Sequence, residues 1–169
     1  MNSRLAEWND ADRAAAIDAM IACCGARRWA AAVVAGRPFR SLAELSAAAD
    51  EQWMKMDEPD LLEAFARHPR IGERKQALNS SQSAEWSRQE QTSTNSASES
   101  VLADIADGNA LYEQRFGFTY IVCATGKNAE EMLAILQRRL QQDRATELKE
   151  AAEQQRQITQ IRLGKWLTS

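Results

Sequence analysis

Three features of the 169-residue sequence predict an all-α fold. Ala, Glu, Gln, Leu and Arg dominate it, and these are strong helix formers. Gly (7) and Pro (3) are scarce, so few positions interrupt a helix. Apolar residues recur at helical spacing along most of the chain, and a single short run is strand-like. The length suits one domain and the 44% hydrophobic content can fill one core. The expectation is a single-domain bundle of about seven to nine helices over residues 1–169.

A first helix is expected over about Asp10–Cys24, where Ile17, Met20, Ile21 and Cys24 keep helical spacing and Gly25 supplies a stop. The short segment "ARRWAAAVVAG" ends at Gly36, and "RPF" then turns the chain. Ser41 and Glu44 form a capping box, so a helix should start at Leu42 and run to about Met56. Its apolar face carries Leu42, Leu45, Ala49 and Trp53. "DEPD" breaks it, and Asp60 is read as the cap of "LLEAFARH". Pro69 disfavours the helical conformation for His68, so this helix ends at or just before the histidine.

Residues 76–100 are polar and Ser/Gln-rich, and part of them should be loose, above all "TSTNSASES". In their middle, "SAEWSRQEQ" can form a helix with Ser83 as cap and Trp86 as apolar anchor. Ser87, Glu90 and Gln91 would then share one face, which on pattern alone is more often solvated than functional. Val101–Phe116 reads as a helix ended by Gly117. "FTYIVCAT" is β-branched and aromatic yet has no partner strand. It is expected as a buried extended stretch or a short distorted helix whose backbone groups need partners, a ligand among the possibilities.

Asn128 and Glu131 cap "AEEMLAILQRRLQQD". A last helix spans about Ala145–Leu167, with Leu148, Ala152, Gln155, Ile158, Ile161 or Arg162, and Lys165 or Trp166 along it. Arg162 lies close to the apolar stripe. It either snorkels along the core edge, the reading the pattern favours, or reaches into a cavity.

Several function classes are excluded. The net charge of −3 and a pI near 5.3 lack the basic footprint of a nucleic-acid binder. The longest uncharged run, Phe116–Gly126, is too short to span a membrane. "MNSRLAEWND" carries acids where a signal peptide has an apolar core, so a cytoplasmic protein is expected. Cys23, Cys24 and Cys123 contain no CxxC and read as buried free thiols. With one histidine, no HExxH and no paired cysteine spacing, no metal site is expected. A hydrolase using Cys123 lacks a second base. A helical module that only binds partners remains the non-enzymatic alternative.

"FARHPRIGE", "EWSRQEQ", "YEQRFGFTYIVCATGKNAEEMLAILQRRL" and "QITQIRLGKWL" occur in that order, after "CGARRWAAAVVAGRPF" and "SLAEL". Together they resemble the OHCU decarboxylase family, OHCU being 2-oxo-4-hydroxy-4-carboxy-5-ureidoimidazoline. The resemblance covers nearly the whole chain. It implies an all-α, cofactor-free decarboxylase, a homodimer, acting on OHCU between urate and allantoin. His68 is then the catalytic acid/base, and Pro69 lines the substrate site. Glu90 is the motif glutamate, with Ser87, Arg88, Gln89 and Gln91 around it as binding residues. The backbone of Tyr120, Ile121, Val122, Cys123 and Ala124 contacts substrate, and Arg162 holds its anion. One departure is that family members continue after Glu-Gln with small and apolar residues, whereas "TSTNSASES" follows here.

The implied chemistry fits these residue types. The carbon that loses carbon dioxide carries a hydroxyl and a carboxylate beside a ring C=N, which can take up the electron pair. No metal, pyridoxal or thiamine is required. A guanidinium gives paired, directional hydrogen bonds to an anion. Apolar neighbours such as Phe118, Ile121 and Val122 would keep water from the departing carboxylate. Histidine titrates near neutrality and can move the protons.

Overall fold

The computed structural model describes residues 2–72, 82–92, 94 and 97–169. Among them are nine helices and no strand. In chain order these are α1 (Ser3–Asp10), α2 (Arg13–Cys23), α3 (Arg27–Ala35), α4 (Leu42–Trp53), α5 (Glu58–Phe65), α6 (Gln82–Glu90), α7 (Glu99–Phe116), α8 (Ala129–Arg139) and α9 (Arg144–Thr168). The chain packs as two compact units, residues 1–64 with 156–169, and residues 65–155.

In the first unit, the helix expected over about Asp10–Cys24 is α2, and α1, which was not expected, precedes it. Asn2 Oδ1 accepts from Leu5 N at 3.2 Å and starts α1, which buries Leu5 and Trp8. Asp12 then caps α2 by accepting from Ala14 N and Ala15 N, both at 3.0 Å. With two apolar positions, α1 has too little periodicity to be seen in sequence. Ser41 caps α4 as expected, and Leu45, Ala49 and Trp53 are buried, but Leu42 stays 39% exposed. The helix stops at Trp53, short of Met56.

Asp60 does not cap α5. It is the third residue of the helix, and the capping box is reciprocal: Asp57 Oδ1 accepts from Asp60 N at 3.4 Å, and Asp60 Oδ2 from Asp57 N at 3.2 Å. In the core, α3 packs on both α2 and α4. Trp29 is fully buried and donates its indole hydrogen to Ala49 O at 2.9 Å. Cys23 and Cys24 are free and buried beneath these helices. Burial pushes the Cys23 thiol up to about 12 and the Cys24 thiol up to about 11, while the Arg162 charge pulls both the other way.

In the second unit, Ser98 caps α7, Gly117 ends it in the left-handed conformation at φ 80°, and Asn128 caps α8. α7 packs on α8 so closely that a Cβ on Gly108 would come within 2.6 Å of Leu136 Cδ2. Residues 119–124 form neither helix nor strand, so the distorted helix that was one of the two expectations is not seen there. Phe65, Tyr112, Phe116, Phe118 and Tyr120 form one aromatic cluster with ring centroids 4.7–6.2 Å apart.

Beneath this cluster Arg139 and Glu147 form a fully buried ion pair, to which Tyr112 adds its hydroxyl. This corrects the predicted stripe of α9. Glu147 and Ala151 face inward and Leu148 and Ala152 are only half-buried, because the buried partner is a cation rather than a hydrocarbon. The helix expected in "SAEWSRQEQ" is α6, Gln82–Glu90; of "TSTNSASES", expected to be loose, Thr92 and Thr94 lie in a 3-10 turn, and Glu99 and Ser100 open α7. Residues 73–81, 93, 95 and 96 lie outside the described residues.

Candidate active site

The chain's single histidine leaves α5 where the proline rule places it. The helix ends at Phe65, and His68 N donates to Phe65 O at 3.1 Å to close a final turn before Pro69. From here nearly every residue of the turn is tied to a different part of the second unit. His68 Nε2 lies 2.6 Å from Oε1 of Gln155 on α9. Arg70 binds Glu113 of α7 through two hydrogen bonds of 2.7 and 2.8 Å. Ile71 O accepts from Asn109 Nδ2 at 3.0 Å. Gly72, with φ 80°, donates its N–H to Gln91 Oε1 at 3.0 Å. A side chain whose neighbours are fixed this way keeps one orientation, as catalysis needs.

α6 presents the face predicted from its spacing, and that face is not solvated. Ser87 and Gln91 are buried, Glu90 and Pro69 are half-buried, and Ser87 Oγ donates to Ser83 O at 3.0 Å. Ser83 is therefore inside α6 and not its cap. Arg88 and Gln89 are exposed, and the structure does not bring them to the buried face.

Tyr120, Ile121, Val122, Cys123 and Ala124 are all buried. In place of a partner strand, side chains meet three of their backbone groups, and Ala124 O accepts from Lys127 N at 3.0 Å. Ile121 O accepts from Arg139 Nη1 at 2.5 Å, Cys123 N donates to Gln154 Oε1 at 2.8 Å, and Cys123 O accepts from Lys127 Nζ at 2.8 Å. Gln154 and Gln155 are consecutive on α9, so one turn of helix anchors both His68 and the Cys123 amide.

Burial pushes the Tyr112 hydroxyl well above the ordinary phenol range. Arg139 opposes this and Glu147 adds to it, so Tyr112 keeps its proton: it donates to Glu147 Oε1, and its oxygen accepts from Arg139 Nη2 at 3.3 Å.

Arg162 belongs to the first unit. It is 5% exposed, so it does not snorkel, contrary to the reading its pattern favoured. Among the described residues no cluster of three His, Cys, Asp or Glu is placed to hold a metal ion. No helix is long and apolar enough to cross a membrane among the described residues. Sequence reasoning missed Arg139, Lys127, Gln154 and the role of Gln155. The signal for Gln155 was present, since an amide at a buried position of an apolar stripe needs a partner.

The OHCU decarboxylase family model matches residues 9–164. The uric acid degradation bifunctional protein TTL of Arabidopsis thaliana is 35% identical over 144 residues, covering 85% of this chain and 44% of that protein. The chain thus spans less than half the length of that relative. The 2-oxo-4-hydroxy-4-carboxy-5-ureidoimidazoline decarboxylase of Amia calva is 34% identical over 140 residues, covering 79% of this chain and 77% of that one. The crystal structure of OHCU decarboxylase in the presence of (S)-allantoin matches with a TM-score of 0.77 and 30% identity, over 90% of this chain and 99% of that chain. With the helical architecture and the order of its motifs, these matches mean that the chain belongs to the OHCU decarboxylase family.

Proposed function

We propose that this protein decarboxylates OHCU to (S)-allantoin in urate breakdown, with His68 as acid/base, Glu90 orienting the substrate hydroxyl and Arg162 anchoring the anion. The observation that carries the reading is the shared anchoring of His68 and the Cys123 backbone by consecutive glutamines of α9. It ties the imidazole and a buried, largely apolar segment without helix or strand to neighbouring residues of one helix. Family membership supplies the substrate.

Carbon dioxide leaves with its bond to the ring carbon broken, and the electron pair enters the neighbouring C=N. The hydroxyl then becomes a carbonyl as it gives up its proton, and the ureido-bearing carbon gains one. An imidazole can serve both transfers, and such positioned proton transfer gives about 100- to 10,000-fold in rate. Buried Ile121 and Val122 withhold the water that would stabilise the carboxylate ground state. Protonation from one face yields a single enantiomer. For Arg162 the support is its place in "QIRL" and its burial, and Arg162→Lys should raise KM more than it lowers kcat. The family resemblance implies a cytoplasmic homodimer, which sedimentation of the purified chain tests.

The deciding experiment is circular dichroism on OHCU generated in place from urate by the enzymes that precede it. Wild type should produce a rapid (S)-allantoin signal and His68→Asn should not. Equal signals from both would remove His68 from its role. No acceleration over spontaneous decay by either would leave a helical binding module.

A further inference from the structure

Gln155 lies against Nε2 of the His68 ring. We infer that Gln155 is a positioning residue that holds neutral His68 as the Nε2–H tautomer, so that Nδ1 is the nitrogen that exchanges protons with the substrate.

Gln155 is fully buried, and its Oε1 lies 2.6 Å from His68 Nε2. An amide oxygen only accepts, so the ring nitrogen facing it must carry hydrogen. The other nitrogen of a neutral imidazole is then a lone-pair acceptor. The choice of an amide matters. Aspartate or glutamate in this place would favour the imidazolium by its charge, whereas glutamine orients the ring without that bias. Gln155 is itself set in place by α9, whose preceding residue Gln154 binds the Cys123 amide, so the ring and the Cys123 segment are registered by one helix.

Resting on the proposed decarboxylation, the proton inventory closes. The substrate hydroxyl gives its proton to Nδ1, which delivers it to the ureido-bearing carbon. The electron pair released with carbon dioxide goes to the ring C=N, whose nitrogen takes one proton from water. His68 ends as it began, with Nε2–H bound to Gln155 throughout.

His68 is the only histidine in the chain, so ring-nitrogen spectra of 15N-histidine-labelled protein need no assignment. At a pH where the ring is neutral, Nε2 should show a bonded proton and Nδ1 a pyridine-type shift. Gln155→Leu should give a mixture of tautomers and a kcat about 10- to 100-fold lower with KM little changed. Gln155→Glu should raise the histidine's titration midpoint and move the limb of the pH–rate profile that reports it upward. A purely structural glutamine would move neither tautomer nor midpoint. An Nδ1–H tautomer in wild type would overturn the inference, and that spectrum decides even where a variant fails to fold. If the spectrum is as expected but wild type makes no allantoin, the functional proposal falls and the tautomer assignment stands.

Discussion

Arg139 and Glu147 form an ion pair in which neither side chain exposes any surface. The guanidinium also donates to Ile121 O at 2.5 Å and lies over the rings of Tyr112 and Tyr120, at 5.8 and 4.9 Å from their centroids. The carboxylate accepts from Tyr112 Oη and, at 2.8 Å, from Gln142 Nε2. A buried pair is tolerated only when its remaining donors and acceptors are occupied in this way. Through the Ile121 carbonyl this network also holds the buried segment Tyr120–Ala124.

Breaking the pair from one side should be severe. Arg139→Met strands Glu147 and should cost about 3–5 kcal/mol. Arg139→Met with Glu147→Leu should recover part of that loss. Urea denaturation of the two variants measures the difference, and equal losses would mean that the pairing itself matters little.

Tyr112→Phe keeps the ring and removes one donor to a buried carboxylate. A loss of about 1.5–3 kcal/mol is expected. At roughly 2–4 °C per kcal/mol for a chain of this size, the melting temperature should fall by about 3–12 °C.

Gly72→Ala tests the turn behind the histidine. A Cβ there meets Ile105 and Leu102 only at ordinary contact distances of 3.5 and 3.6 Å, so the cost comes from φ 80° alone, about 1–2 kcal/mol. Because Gly72 N donates to Gln91, the same variant should lower kcat. A stability loss with unchanged kcat would separate the turn from the chemistry.

The Arg70–Glu113 pair makes an acid-sensitive contribution. The Arg70 hydrogen bond holds the Glu113 carboxyl below its ordinary 4.5, against the smaller upward push of burial. The folded value is the lower one, so the stabilisation is present above 4.5 and is lost as pH falls through the folded value. Wild type should therefore exceed Glu113→Gln in stability at neutral pH, and their urea midpoints should converge in acid. Parallel curves at every pH would contradict this.

Cys23 and Cys24, with thiols near 12 and 11, are almost wholly protonated at pH 8 and shielded from solvent. A thiol-disulfide exchange reagent should react with them only after denaturant is added.

Local interactions explain what could be read ahead of the structure. Ser41, Asn128 and Gly117 act within a turn of their own position, so their roles were legible from neighbouring residues. The end of α5 before His68 follows from Pro69 in the same way. α1 escaped because two buried residues make no period, and Asp57 was overlooked as a cap because either aspartate of "DEPD" suits that place.

The composition and spacing of the chain determined its helical class, and its motifs in order marked His68, Glu90 and Arg162 for attention. Only the tertiary structure decided that Ser87 and Gln91 face inward, that Glu147 belongs in the core, and that His68 is held by Gln155, 87 residues away. Hydrophobic periodicity scores each residue by its own preference for water. A buried amide, carboxylate or guanidinium is placed instead by a partner distant in sequence, and that partner exists only once the helices have packed.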